Sequence, residues 1–206
     1  MANSFDTNEI ERKARAASFQ DGLMEIFAAV VLTIIAIAWV ASPSLFVIAA
    51  AFVVLFGWRV VERFKRRITY PRIGYYQEKA EDAATTGRGM LIFIGGAIAV
   101  MIGAVVVFGD VTDASEWRRA APLLSGLTLA GGFWYAGERS GLIRHRVIAV
   151  YSVVTGVLLW AFSSGATYEP LVWHLLGLAL PLMAIGTWAL EHFIRTHPLP
   201  HGAIDA

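Results

Sequence analysis

The fold of this chain is decided by Gly22–Val40, which reads GLMEIFAAVVLTIIAIAWV. An α-helix needs about 20 mostly apolar residues to cross the roughly 30 Å hydrocarbon layer of a bilayer, so this stretch is predicted to be a transmembrane helix. Five stretches of similar length and character follow it: Leu45–Val61, Met90–Gly109, Ala121–Gly137, Val147–Ser163 and Leu171–Leu190. The sequence therefore predicts an all-α, polytopic membrane protein built as a bundle of six transmembrane helices.

The composition of the chain also indicates a membrane protein. Hydrophobic residues make up 57% of the 206 residues and charged residues 16%, whereas a soluble domain carries about 25% charged residues. Six spans and their connections leave no stretch long enough for a separate soluble fold, so residues 1–206 are predicted to form a single transmembrane domain. The net charge of +1 gives no reason to expect a nucleic-acid partner, and the absence of cysteine excludes disulfides and thiolate metal sites.

Lysine and arginine are distributed unequally between the two sides of the predicted bundle. If the N-terminus is cytoplasmic, 15 of the 17 basic residues lie on the cytoplasmic side, and only Arg118 and Arg119 lie on the other. Basic residues in short loops resist translocation, so both termini are predicted to be cytoplasmic and the spans to form three hairpins. All seven tryptophans fall near predicted helix ends, where indole rings favour the headgroup level.

This topology divides the chain into six segments with distinct characters. The first apolar stretch is expected to be a retained helix and not a cleaved signal peptide, because about 20 largely polar residues precede it. The segments are a lead-in helix (1–20), a first hairpin (22–61), a basic aromatic loop (62–89), a second hairpin (90–137), a third hairpin (147–190) and a cytoplasmic tail (191–206). The three returning helices end in similar residues, which either a triplicated hairpin or the general character of inner helix ends would explain.

The most distinctive polar segment is the loop 62–89, which contains RITYPRIGYY at positions 67–76. Pro71 should push Tyr70 towards an extended conformation and Gly74 should permit a turn, so the second helix is expected to end before Tyr70. Basic residues directly cytoplasmic of a span attract anionic lipid headgroups at roughly 1 kcal/mol each. We therefore expect binding of membrane lipids or of partner proteins at five residues of this loop: Arg66, Arg67, Tyr70, Arg72 and Tyr75.

The string at positions 67–75 resembles the R-x-T-Y-P-R-x-G-Y loop motif of a group of uncharacterised bacterial multi-pass membrane proteins. The hydropathy profile around the motif is also similar to theirs. The resemblance implies a multi-pass protein of the bacterial cytoplasmic (inner) membrane, with this loop as the shared feature of the group. It implies no activity, substrate or catalytic residue.

Small residues recur at four-residue spacing in the third predicted span, at Gly95, Ala99 and Gly103. Such rows allow two helix backbones to approach closely, so these residues are predicted to mark a packing interface. The fourth span carries a shorter row, Gly126 and Ala130. Both interfaces could lie inside the chain or against a partner.

Ionisable side chains are nearly absent from the central turns of the six predicted spans. Glu25, Glu169 and His174 lie close to predicted span ends, where their side chains are expected to reach the headgroups. Alternatively His174 could ligate haem iron or chlorophyll magnesium, since imidazole is a common axial ligand. Pro181 lies in the middle of the sixth span and frees a carbonyl one turn before it, which a neighbouring helix is expected to satisfy.

These observations favour a non-catalytic accessory or scaffolding subunit of a larger membrane complex. Its expected partners are anionic lipids and either other membrane subunits or further copies of the chain, with no enzymatic activity, cofactor or metal site. A small oligomeric permease for a neutral or apolar solute is the first alternative, and a pigment- or haem-associated subunit using His174 is the second. Transport would be favoured if seven polar side chains converged on one cavity: Thr33, Ser125, Thr128, Tyr135, Tyr151, Ser152 and Thr155.

Overall fold

The computed structural model describes residues 19–42, 56–57, 59–74 and 114–199. The described parts are helical, with helices α1 (Leu23–Ala41), α2 (59–68), α3 (Tyr70–Ile73), α4 (Ala114–Ser140), α5 (Ile143–Phe162) and α6 (Glu169–Thr196). Three of them, α1, α5 and α6, are long and apolar enough to cross a membrane. The chain is therefore an all-α membrane protein, as its apolar stretches predict.

The helix bounds extend beyond the predicted spans where polar residues can continue a helix. α4 begins at Ala114 and not at Ala121, and it includes Arg118 and Arg119 in its first two turns. Its charged ends make it more polar than the three helices that qualify as spans. The third predicted span and most of the second lie outside the described residues, as do residues 1–18 of the lead-in helix and the end of the tail.

α1 and α6 pack side by side in opposite directions. Gly22, just before α1, lies against the backbone of Gly186 near the end of α6. At the other end of α1, Trp39 makes an edge contact with Tyr168, which precedes α6, with 5.2 Å between the ring centroids. The start of α1 and the end of α6 therefore lie at one end of the bundle, which we call the α1-start end.

α4 and α5 form a second antiparallel pair with a close backbone crossing. A methyl group added at Gly126 would approach the Ser152 carbonyl oxygen to 2.7 Å, and one added at Gly156 would approach the Pro122 carbonyl oxygen to 2.8 Å. Gly126 thus packs against another helix of the same chain. The sequence was compatible with packing inside the chain or against a partner. Ala29, Leu32, Ile148, Leu178 and Leu182 fill the core between these pairs.

The segment around Tyr70 differs from its predicted conformation. α2 ends before Tyr70 as predicted, but Tyr70 begins the single helical turn α3 and is not extended. Pro71 is tolerated there because the first turn of a helix has no intrahelical partner for its N–H groups. Gly74 ends the turn with a φ of +86° and donates its N–H to the Tyr70 carbonyl at 2.9 Å. The expected turn at Gly74 is therefore present.

Candidate functional site at the start of α1

Glu25 lies in the first turn of α1 and is 1% exposed. Its Oε1 forms ion pairs with Nε of Arg144 at 2.5 Å and with Nε2 of His145 at 2.9 Å. Neither Nε of Arg144 nor the Glu25 oxygens have a well-directed hydrogen bond among the described residues, so charge attraction dominates these contacts. The prediction that Glu25 reaches the headgroups is therefore wrong, because two cationic or titratable side chains of α5 hold it inside the bundle.

The His145 ring is held from its other side by the end of α4. Its Nδ1 lies 2.9 Å from the hydroxyl oxygen of Ser140, and that hydroxyl donates to the carbonyl of Ala136 at 2.7 Å. The same hydroxyl oxygen accepts the Leu142 N–H at 3.2 Å. Ser140 therefore links the end of α4, the connection to α5 and the imidazole that faces Glu25.

A second buried acid, Asp21, lies one turn before Glu25. Its Oδ2 accepts a hydrogen bond from the hydroxyl of Thr69 at 2.7 Å and lies 3.9 Å from Nζ of Lys65. Its Oδ1 accepts the N–H of Leu23 at 3.1 Å. Burial raises the pKa of the Asp21 carboxyl above its usual 3.8, although Lys65 and the hydrogen bonds oppose this shift.

Together these groups join three parts of the chain at one place. We call them the α1 cluster, whose members are Asp21, Glu25, Lys65, Thr69, Ser140, Arg144 and His145. Arg144 adds a further link, because its Nη2 donates to the Phe19 carbonyl at 2.6 Å. The cluster ties the start of α1 to the end of α2 and to the α4–α5 connection.

A cavity of about 210 Å³ adjoins Glu25 and His145. Its other walls are almost wholly apolar and come from α1 and α4: Met24, Ala28, Leu129, Gly132, Phe133 and Ala136. An apolar cavity of about 150 Å³ is enough to hold a benzene ring. The cavity could therefore hold a small apolar group beside the buried acid–base pair.

No protein-family model, curated protein or solved structure matches this chain. Its function therefore has to be inferred from its own contacts.

Two of the predicted loop residues are held by contacts within the chain. The Tyr70 hydroxyl donates to Oε2 of Glu62 at 2.9 Å, and Nη1 of Arg72 donates to the Ile68 carbonyl at 2.6 Å. Arg66 and Arg67 are exposed, and Arg66 pairs with Glu62 one turn earlier at 3.2 Å. Tyr70 and Arg72 thus form hydrogen bonds within the chain, whereas Arg66 and Arg67 are exposed.

Four further residues were predicted from the sequence, one for lipid or partner binding and three for helix packing. Tyr75 and the packing row Gly95, Ala99 and Gly103 lie outside the described residues. Within residues 19–42, 56–57, 59–74 and 114–199, no three histidine, aspartate or glutamate side chains form a group that could hold a metal ion.

His174 is the other buried histidine, and it lies where α6 meets α4 and α5. It is 1% exposed, and its Nδ1 lies 3.2 Å from the hydroxyl oxygen of Thr155. Its Nε2 has no hydrogen-bond partner in the described parts of the chain. The prediction that His174 reaches the headgroups is therefore wrong, because α6 turns this side chain into the bundle. Glu169, in contrast, is exposed in the first turn of α6.

Most of the hydroxyl groups that could have lined a transport pathway bond to helix backbone instead. Five of the seven donate to backbone carbonyls: Thr33 to Ala29, Thr128 to Leu124, Tyr151 to Gly177, Ser152 to Gly126 and Thr155 to Tyr151. Gly177 lies four residues before Pro181, so its carbonyl is the one that Pro181 cannot bond. The expectation that a neighbouring helix satisfies this carbonyl is thus confirmed.

The opposite end of the bundle is held by the two arginines predicted to be on the outer side. Nε of Arg118 donates to the Gly165 carbonyl at 2.8 Å, and Nε of Arg119 donates to the Trp160 carbonyl at 3.3 Å. Carbonyls at the end of a helix lack intrahelical donors, so cationic side chains are favourable there. These arginines have a structural role that the charge count alone did not indicate.

Sequence reasoning missed most of the α1 cluster, although a signal for it was present. Asp21 and Glu25 are four residues apart, so they share one face of a helix start. Arg144 and His145 begin the fifth span on the same predicted side of the membrane. Acids and bases at matching depth on two apolar helices predict a buried pair.

Proposed function

We propose that this protein is a non-catalytic accessory or scaffolding subunit of a larger complex in the bacterial cytoplasmic membrane. The observation that carries this proposal is the hydrogen bonding of hydroxyl groups in the helices to backbone carbonyls. Five of the seven polar side chains that could have lined a pathway bond to backbone carbonyls of their own or a neighbouring helix, which stabilises the bundle. A polar solute pathway would need such groups to face a common cavity.

The proposal includes six membrane crossings with both termini on the cytoplasmic side. Its support comes from the positions at which the described segments end. Thr69 contacts Asp21 at the α1-start end, whereas Ser115 packs against Gly165 at the opposite end, where α5 connects to α6. The end of α1 also lies at that opposite end. One crossing in each of the segments 43–68 and 75–113 would join these ends and bring the total to six.

The surfaces available for partners are apolar along the helices and basic beside α2. Large apolar side chains are exposed on α5 and α6, including Phe162, Trp173 and Leu180. On α2, the exposed Arg66 and Arg67 lie close in sequence to the exposed Phe64. An aromatic ring beside two cations suits the interface between acyl chains and anionic headgroups, so α2 is the proposed lipid contact.

Extraction of the protein together with its surrounding lipid, followed by native mass determination, tests the scaffold proposal. We expect other membrane subunits or further copies of the chain to be retained. Substituting Arg66 and Arg67 by alanine should reduce the amount of bound anionic lipid. Substituting the exposed Arg195, in the last turn of α6, by alanine should reduce it less. A free monomer with no retained subunit would contradict the proposal.

A small permease is the second candidate, and the cavity beside Glu25 and His145 favours it. A neutral or apolar solute would need few charged groups along its path. Uptake of small neutral solutes into liposomes tests this reading. Filling the cavity with Gly132→Leu should abolish uptake by a permease, whereas Ala184→Leu on the exposed face of α6 should not. No uptake by the wild type above empty liposomes would remove this candidate.

A pigment- or haem-associated subunit is the third candidate, and it depends on His174. The observation in its favour is the buried Nε2, which has no hydrogen-bond partner in the described part of the chain. The absorption spectrum of the protein extracted with its lipid tests this candidate directly. A Soret or chlorophyll band that His174→Ala removes would support it, and a spectrum without such bands would contradict it.

A further inference from the structure

A second cavity, of about 510 Å³, lies between α1 and α2, and we call it the α1–α2 groove. Its walls are almost wholly apolar and come from these two helices, with Leu190 of α6 added. Val30, Ile34, Val60 and Phe64 line the groove and are each at least 40% exposed, so it is open along one side. Its volume lies within the range of roughly 300–1,000 Å³ that is typical of ligand pockets.

The α1–α2 groove has the length of one bilayer leaflet. Its wall on α1 extends from Leu23 to Ile34, which is about 16 Å at a rise of 1.5 Å per residue. The hydrocarbon layer is about 30 Å thick, so one leaflet contributes about 15 Å. Leu23 and Ile68 form the end of the groove that lies at the α1-start end of the bundle, where Thr69 bonds Asp21. The groove therefore matches an acyl chain that enters from the leaflet on that side.

The exposed face of α2 beside the groove is basic, with arginines at positions 59, 63, 66 and 67. Residues three apart are neighbours on a helix surface, so Arg63 adjoins Val60 and Arg67 adjoins Phe64 at the rim of the groove. Arg66, in contrast, pairs with Glu62 on the other side of the helix. Basic pockets beside membrane helices bind anionic headgroups, and a guanidinium group can bind a phosphate through two parallel hydrogen bonds.

We propose that the α1–α2 groove holds one acyl chain of an anionic phospholipid, whose phosphate binds Arg63 and Arg67. The inference rests on the proposed lipid contact of α2 and gives that contact a defined occupant. The apolar stems of the two arginines cover the rim, while their charged ends reach the headgroup level. Such a lipid differs from the general lipid around the bundle because both its chain and its headgroup are bound.

Photolabelling of the full-length protein in lipid nanodiscs tests the proposal. The nanodiscs contain equal amounts of phosphatidylglycerol, which is anionic, and phosphatidylcholine, which has no net charge. In each of two samples, one of these lipids carries a photoreactive diazirine in an acyl chain, and mass spectrometry identifies the labelled residues. We expect phosphatidylglycerol to label residues 23–34 and 60–68 more strongly than the exposed face of α5. Phosphatidylcholine should show no such preference.

Two pairs of matched variants separate the headgroup from the chain. Arg67→Gln should lower labelling of the groove by phosphatidylglycerol about fivefold, whereas Arg195→Gln in the last turn of α6 should not. Val30→Trp fills the groove and should also lower this labelling. Val154→Trp is the control for it, because Val154 is similarly exposed on α5, at 48% against 41% for Val30.

Two outcomes would overturn the proposal. Equal labelling of the groove by the two lipids would remove the recognition of the headgroup. A groove without label beside a labelled α5 would mean that another part of the protein, such as the predicted span at 90–109, fills it. The broader lipid contact of α2 is judged separately, by the amount of anionic lipid that the protein retains when Arg66 and Arg67 are substituted.

Discussion

The Thr69 hydroxyl donates a hydrogen bond to the Asp21 carboxylate at 2.7 Å, and both side chains are fully buried. The bond joins residues 48 positions apart. It fixes the first residue of the T-Y-P-R-x-G string to the start of α1. At this residue the motif has an internal structural role, which is separate from any role in binding lipid.

We predict that Thr69→Val destabilises the protein by about 1–3 kcal/mol, because the buried carboxylate loses a donor that valine cannot replace. Unfolding in mixed micelles measures this cost. Thr187→Val is the matched control, since Thr187 is exposed and donates only to backbone carbonyls of its own helix. Equal costs for the two variants would show that the Thr69–Asp21 bond has no special importance.

Asp21 should make stability depend on pH. Burial raises its pKa above the usual 3.8, so the folded protein holds this proton more tightly than the unfolded chain. The contribution of such a group is complete below the unfolded pKa and is lost as pH rises through the folded pKa. We therefore predict that wild type loses stability relative to Asp21→Asn as pH rises from 3.8.

The measurement is the free energy of unfolding of both proteins across that range. The asparagine side chain of the Asp21→Asn variant cannot ionise, so the difference between the two proteins isolates the titration of Asp21. A difference that stays constant, or that moves in favour of wild type with rising pH, would contradict the prediction.

Gly22→Ala should be more harmful than a substitution at a glycine of similar conformation. Gly22 has φ of +72° and a methyl group there would clash with the Gly186 carbonyl oxygen. Gly141 has φ of +69° with nothing within 4 Å. Both variants should lose about 1–2 kcal/mol of folding stability, because alanine is strained in the left-handed conformation. Gly22→Ala should lose about 1–3 kcal/mol more, which is the usual cost of overpacking. Equal losses in thermal unfolding would mean that α1 and α6 can separate at this point.

The bond from Tyr151 to the Gly177 carbonyl should matter only while Pro181 is present. We predict that Tyr151→Phe costs about 1–3 kcal/mol in wild type, because it leaves that carbonyl without a donor. Pro181→Ala restores a backbone N–H that can bond the same carbonyl. In the Pro181→Ala background, Tyr151→Phe should therefore be nearly neutral. A double-mutant cycle on the free energy of unfolding measures this coupling, and additive costs would disprove it.

The proposed topology predicts which single cysteines react from outside intact cells. Cysteines at Ser44, Asp113 and Ala166 should react with an impermeant thiol reagent, and one at Thr86 should not. Ala166 is exposed in the connection between α5 and α6. It is preferable to its neighbour Gly165, where a side chain would clash with the Ser115 carbonyl. Labelling at Thr86, or at none of the other three, would end the six-span proposal.

The sequence alone determined the helical membrane architecture and the ends of several helices. Apolar length is a local property, and it predicted α1 to within one residue at each end, whereas α5 begins four residues earlier than predicted and α6 ends six residues later. Pro181 likewise predicted a freed carbonyl before any partner was known. It could not name Tyr151 as that partner, because the choice depends on how α5 packs against α6.

Only the tertiary structure decided what the polar residues near the helix ends do. Glu25 and His174 are close to span boundaries, and proximity to a boundary is compatible with headgroup contact or with burial. Their direction depends on which face of the helix meets a neighbour, and that depends on the close approaches of Gly22 to Gly186 and of Gly126 to Gly156. The acid–base pair of Glu25 and His145 exists because packing, and not local sequence, brings α1 and α5 together.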